Sequence, residues 1–400
     1  MFSVSKPVHR LFVAKGLRAF ADGYVSLLLP LYLVDLGFSP LQVGIIATST
    51  LIGSGLLTFV VGLHAWRFHH RTLLLATSAL MAATGLSFAL LTTPWLLMLI
   101  AFAGTLNPSS GDVSVFLPLE HAVLARLASD RQRTHAFARY SLVGALVGAT
   151  GSLAATLPPM LAAATGVPVT NVIRVMFIIY ALIACAAGLL YSGLPKTFSA
   201  TAPTQKAPLH QSRKTVYRLA ALFSLDAFGG GFVVQSMLAL WLHQRFDTSM
   251  AAAGVVFFWM GVLTAVSYLV AVRIAGRFGL INTMVFTHIP SSVCLILLPF
   301  APGFGYAMTL LFVRSALSQM DVPTRNSYVM AIVTPEERPA AASITSVPRS
   351  LAAAVSPILS GYLLGVSTFG WPLAIGGGVK IVYDVLLLAQ FRKIRPPEEL

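Results

Sequence analysis

"LRAFADGYV", Leu17–Val25, lies inside the first long apolar stretch of the chain. "LDAFGGGFV", Leu225–Val233, lies inside a later one, 208 positions on. Leu, Ala, Phe, Gly and Val recur in place, and Tyr24 faces Phe232. Two features need a physical reason. Arg18, Asp22 and Asp226 are charges in an apolar setting, and the pattern returns half a chain later.

The surrounding composition identifies the solvent. The 400 residues are 56% hydrophobic and 10% charged, with mean hydropathy +0.81. Soluble domains are about 25% charged, so a soluble protein this apolar lacks the polar residues to cover itself. A membrane-crossing helix needs about 20 mostly apolar residues. About twelve such stretches are expected, at 12–35, 40–64, 72–92, 94–119, 136–159, 172–193, 216–241, 251–272, 281–301, 305–328, 341–366 and 371–391. The long polar segment "LPKTFSATAPTQKAPLHQSRKTVYR" divides six spans from six and reads as a linker. The expected organisation is an N-terminal bundle over 1–193, a linker over 194–215 and a C-terminal bundle over 216–400.

The net charge of +14 does not point to nucleic acid, because the basic residues are placed by topology. Most fall in alternate loops and the termini: Lys6, Arg10, Arg67, Arg71, Arg126, Arg131, Arg133, Lys196, Lys206, Arg213, Lys214, Arg273, Arg277, Arg338 and the tail from Arg392 to Arg395. Basic loops stay on the cytoplasmic side, so both termini are expected there. "MFSVSKPVHR" runs straight into a full-length span, so no cleavable leader is expected. Cys185 and Cys294 lie in apolar runs and argue against a disulfide framework.

The repeat extends beyond the opening pair. "AWRFHH", Ala65–His70, matches "AGRFGL", Ala275–Leu280, 210 positions on. "FLPLE", Phe116–Glu120, matches "DVPTR", Asp321–Arg325, which aligns Pro118 with Pro323 and Glu120 with Arg325. "SDRQRTHAF", Ser129–Phe137, matches "PEERPAAAS", Pro335–Ser343, aligning Arg133 with Arg338. Four matches in chain order mark a duplicated six-plus-six membrane protein.

Two six-span halves, a basic loop 2–3 with its copy in loop 8–9, and a basic linker resemble the major facilitator superfamily. The resemblance covers nearly the whole chain. The family's loop motif, roughly G-x-L-A-D-R-x-G-R, stands here as "GLHAWRFHH", Gly62–His70. Gly62, Ala65 and Arg67 fit, while Trp66 replaces the acid and His69 the glycine. In the second half Gly276 holds the acidic position, so the cytoplasmic latch that the family builds on that acid must be made differently or more weakly. "TPEERPAAA", Thr334–Ala342, matches loop 10–11. The resemblance implies an all-α membrane fold of about twelve helices in two pseudo-symmetric bundles. It also implies transport by alternating access, with spans 1, 4, 7 and 10 lining a central water-filled cavity. Span 5 carries Gly144, Gly148 and Gly151, a helix-packing series that resembles the family's proton antiporters. Their proline after Gly148 and their span-4 arginine are absent.

An intramembrane charge costs about 2.5–3.5 kcal/mol or more and marks a wet site or a partner. Read without the resemblance, the charges pick out the same four spans. Lys15, Arg18 and Asp22 lie in span 1, Asp112 and Glu120 in span 4, Asp226 in span 7, and Arg314, Asp321 and Arg325 in span 10. At 1.5 Å per residue, Asp22 and Arg314 sit about 15 Å deep, near mid-membrane. Arg18, Asp22, Asn107, Asp112, Asp226, Gln235, Arg314 and Asp321 are therefore the candidate substrate and ion pathway. Arg18 and Asp22, four apart, can neutralise each other, as can Lys380 and Asp384. Asp226 has no local partner and is the expected proton carrier. Glu120, Arg325, Arg67, Arg133 and Arg338 are the expected cytoplasmic gate, with Glu120 and Arg325 pairing when the protein faces outward and separating when it faces inward. "GTLNPSSGDVSVFLP" predicts a kinked or broken span 4.

No G-x-x-x-x-G-K-[ST], H-E-x-x-H, G-x-S-x-G or C-x-x-C is present. No cofactor, metal site or enzyme activity is expected. The expected partners are a small-molecule substrate, a proton as coupling ion and the lipid bilayer. The expected function is proton-coupled export of a small organic solute, in a bacterial inner membrane. Import of a small anionic metabolite, with Arg18 and Arg314 as clamps, is the alternative. A non-transporting sensor or membrane enzyme is the alternative from another class.

Overall fold

The structure, a computed structural model, describes residues 6–64, 68–109, 114–127, 130–195, 212–334 and 337–392. The side chains of 62–64, 125–126, 130–135, 272, 323, 326 and 338–339 fall outside that description. Of the expected site residues, Asp112 and Arg67 lie outside the described residues, as do the side chains of Arg133 and Arg338.

The chain forms two compact units, and each is described alone. Unit 1 comprises 1–203 with 248–258, and unit 2 comprises 204–247 with 259–400. In chain order the helices of the first half are α1 (Lys6–Asp35), α2 (Pro40–His64), α3 (His70–Leu90), α4 (Pro94–Ala103), α5 (Phe116–Leu127), α6 (Asp130–Ala154), α7 (Leu157–Thr165) and α8 (Val169–Ser192). The second half has α9 (Arg213–Gly231), α10 (Gln235–Phe246), α11 (Met250–Phe278), α12 (Leu280–Leu297), α13 (Phe304–Leu317), α14 (Asp321–Ala331), α15 (Arg338–Val366) and α16 (Trp371–Phe391). The first turns of α11 group with unit 1.

Among the described residues, ten helical segments are long and apolar enough to cross a membrane, and Pro94–Ala103 and Phe304–Leu317 are shorter apolar helices. Together they account for the twelve stretches read from the sequence. The two short ones are the first parts of spans 4 and 10, each followed by a second helix. The expected interruption of span 4 is present: α4 stops at Ala103 and α5 starts at Phe116. Between them the Asn107 side chain accepts hydrogen bonds from the Ser109 N–H at 3.1 Å and the Ser109 hydroxyl at 2.8 Å. An Asx turn of this kind competes with the helical ladder. Span 10 breaks between α13 and α14, and span 7 between α9 and α10. The span-7 break follows Gly229–Gly231, and Ser360 Oγ on α15 donates to the Phe232 carbonyl at 2.9 Å. A side chain thus satisfies a carbonyl that the interrupted helix leaves open.

Small residues let helices approach closely in each unit. In unit 1, α1 packs on α6. A Cβ at Gly151 would come within 2.1 Å of the Phe20 carbonyl oxygen, and one at Gly23 within 2.2 Å of that of Gly148. In unit 2, α9 packs on α15, and a Cβ at Gly231 would meet the Ala353 carbonyl oxygen at 2.3 Å. Close approach of this kind, which only glycine permits, supplies packing between helices.

Candidate functional site

In unit 1 a buried ion pair is enclosed by aromatic side chains. Arg18 on α1 is 3% exposed and Glu120 on α5 is 0% exposed. Arg18 Nη2 donates to Glu120 Oε2. Tyr140 on α6 donates its hydroxyl to the same oxygen. The Tyr191 hydroxyl on α8 donates to Glu120 Oε1 at 2.5 Å and accepts from Arg18 Nε at 3.1 Å. Phe116 lies 3.9 Å from the guanidinium carbon, a cation–π contact. Four helices therefore converge on one carboxylate with three donors. A buried ion pair offsets its desolvation only when the remaining lone pairs are also satisfied, and here they are. Asp22, one turn beyond Arg18, acts electrostatically on Arg18 and Tyr180.

Unit 2 holds a longer network. Asp226 on α9 is 3% exposed. Lys380 Nζ on α16 donates to its Oδ1 at 2.7 Å, and Arg325 Nη1 on α14 donates to its Oδ2 at 3.2 Å. Arg325 also donates to Asp321, its neighbour one turn back, at 2.8 Å. His288 on α12 meets Asp384 on α16 at 2.9 Å and Lys380 at 3.4 Å. Arg325 lies 5.5 Å from the Phe223 ring centre.

Two expectations change with these contacts. Asp226 is not unpartnered: two cations hold it, from α14 and α16, too far along the chain for local reading to see. Lys380 and Asp384 do not neutralise each other. Each turns to a different helix, because the helices packed against α16 present an acid to one and an imidazole to the other. Within unit 1 Glu120 pairs with Arg18, and within unit 2 Arg325 pairs with Asp226 and Asp321.

The remaining candidates fall around the helix breaks. Asn107 is 1% exposed in the span-4 break. Gln235 opens α10 after the span-7 break. Its Nε2 and the Ser236 Oγ are buried with no hydrogen-bond partner among the described residues. Arg314 lies near the end of α13, beside Cys294, and has no ion pair among the described residues. Sequence reading missed Tyr140, Tyr191 and His288. The signal for His288 was present: a histidine in the middle of an apolar span.

Solved structures share this architecture. The nucleoside transporter NupG superposes with a TM-score of 0.75 at 16% identity, covering 96% of this chain and 99% of its own. A bacterial homolog of the human lysosomal transporter Spinster gives 0.72 at 13% identity, covering 96% and 95%. The human organic anion transporter MFSD10 gives 0.66 at 16%, covering 96% and 99%. An uncharacterized membrane protein of Saccharomyces cerevisiae is 24% identical over 97% of this chain and 94% of its own. The family model of the Major Facilitator Superfamily matches residues 11–235 and 219–400. With two halves, breaks in spans 4, 7 and 10 and intramembrane ion pairs joining spans 1 to 4 and 7 to 10, the chain belongs to the Major Facilitator Superfamily of membrane transporters.

Proposed function

We propose that the chain is a proton-coupled secondary transporter that exports a small polar organic solute by alternating access. The observation that carries the reading is the Asp226–Lys380–His288–Asp384 network within membrane spans, in a fold of this family. Buried ionisable groups in such spans mark ion paths and proton relays. The direction rests on span 5. Gly148 and Gly151 lie against α1, in the glycine series that resembles proton antiporters. Arg18, Arg325 and Lys380 are each matched to a carboxylate. They offer no spare charge to an anion, which favours a neutral solute. NupG, a nucleoside transporter by its description, makes a nucleoside the first probe.

Import of an organic anion is the second reading, and Arg314 favours it, since it has no ion pair of its own among the described residues. Proteoliposomes loaded with a pH-sensitive dye test both. An outward uridine gradient should drive protons the opposite way. Glutarate uptake with co-moving protons would favour the anion importer, and no counterflow of either probe would count against transport of these classes. The membrane of residence and the cytoplasmic placement of both termini belong to this reading, supported by the basic loops.

A further inference from the structure

The network in unit 2 contains an imidazole that the first sequence repeat lacks. His288 is 2% exposed. Its Nδ1 lies 3.0 and 2.9 Å from the two carboxylate oxygens of Asp384. Its Nε2 lies 3.4 Å from Lys380 Nζ and 3.7 Å from Asp226 Oδ1. A carboxylate accepts and an ammonium donates. The two contacts suit the tautomer in which Nδ1 carries the hydrogen and donates it to Asp384, while Nε2 offers its lone pair to Lys380.

A second proton has one place to go, Nε2. It removes the lone pair that faces Lys380 and sets two cations side by side. The new N–H faces Asp226 Oδ1, the oxygen that Lys380 holds at 2.7 Å. We propose that His288 is a proton-binding site, and that a proton from water on Nε2 transfers Asp226 Oδ1 from Lys380 to the imidazolium. The proposal rests on the proton-coupled reading above and names the group that carries the proton, in place of Asp226. Asp226 also holds Arg325, so the change reaches the link between α9 and α14, the helices flanking the breaks of spans 7 and 10.

The charged and titratable groups around His288 are these. From α16 come Lys380, Asp384 and Tyr383, whose ring centre is 6.0 Å away. From α9 comes Asp226. From α14 come Arg325 and Asp321, one step further. Arg349 on α15 acts on Arg325 and Asp226. Arg314 on α13 lies by Cys294, further along α12.

Comparison with the first half shows that bundle packing does not require this set. At the offset of 210 that aligns Ala65 with Ala275, His288 matches Ser78. Gly188 on α8 stands over Ser78, with Ala184 one turn before it, and a Cβ on Gly188 would meet Ser78 at 3.4 Å. Asp384 and Lys380 have the same spacing on α16. Small neutral side chains close the helix pair in unit 1, where unit 2 carries a histidine, an acid and a lysine.

The test is a histidine-ring NMR titration of 15N-labelled protein in lipid, with the His288 signal assigned by its loss in His288→Gln. It needs no solute. The doubly protonated ring should grow in as pH is lowered, and a ring held in one protonation state throughout overturns the proposal. If His288→Gln does not fold, Asp384→Asn assigns the signal by shifting it. Proton movement per uridine moved, measured with the pH dye, should fall by about tenfold in His288→Gln. An unchanged ratio overturns the coupling role of His288. A wild type that titrates His288 but moves no protons overturns the proton-coupled reading alone.

Discussion

Arg18 and Asp226 stand at the same position of the two sequence repeats, carry opposite charges, and each pairs with the aligned residue of its own half: Arg18 with Glu120, Asp226 with Arg325. Duplication preserved the position of the ion pair and reversed its polarity. Attraction between two charges is indifferent to which helix carries which sign, so either polarity can hold span 1 to span 4 or span 7 to span 10. What each bundle cannot tolerate is one member alone.

That intolerance is measurable in unit 1. Arg18→Ala leaves Glu120 buried with a net charge and should cost about 3–5 kcal/mol. Thermal unfolding in detergent reads the loss. Arg18→Glu combined with Glu120→Arg should recover part of it, because the pair is re-formed with the polarity seen in unit 2. A double variant no more stable than Arg18→Ala would show that the tyrosine donors, and not the ion pair, dominate.

In unit 2 the same logic predicts a rescue. Asp226→Asn leaves Lys380 and Arg325 facing an amide and should abolish solute accumulation against a gradient while lowering stability by about 3 kcal/mol or more. Adding Lys380→Met removes one orphaned charge, so the double variant should unfold at a higher temperature than Asp226→Asn alone. Simple addition of the two losses would place Lys380 outside the network.

The glycines of span 5 differ in a way that packing dictates. A Cβ at Gly151 would overlap the Phe20 carbonyl, whereas one at Gly148 would meet the Ala19 carbonyl oxygen at an ordinary 3.5 Å. Gly151→Ala should therefore cost about 1–3 kcal/mol, and Gly148→Ala within about 0.5 kcal/mol of nothing. Equal costs at the two sites would mean that α1 and α6 approach each other differently from this structure.

Orientation in the membrane is tested by labelling. In a protein with Cys185 and Cys294 replaced, Ser367→Cys should react with an impermeant maleimide on intact cells, and Thr204→Cys should react only after the membrane is opened. The opposite pattern would invert the assignment of the basic loops to the cytoplasm.

The spans, the duplication, the interrupted span 4 and the four charged helices were legible in the sequence, because each depends on residues that are neighbours in the chain or repeat at a fixed offset. Hydrocarbon enforces that legibility: it admits long apolar runs and makes every charge conspicuous. The partners of those charges were not legible. Lys380 and Asp384, one turn apart, looked self-sufficient, and Asp226 looked alone. Helix packing places Lys380 beside Asp226 and Asp384 beside His288, across separations of 154 and 96 residues. Ion pairing in a low-dielectric interior selects the nearest satisfied geometry whatever the distance along the chain, and only the tertiary structure decides which side chains are near.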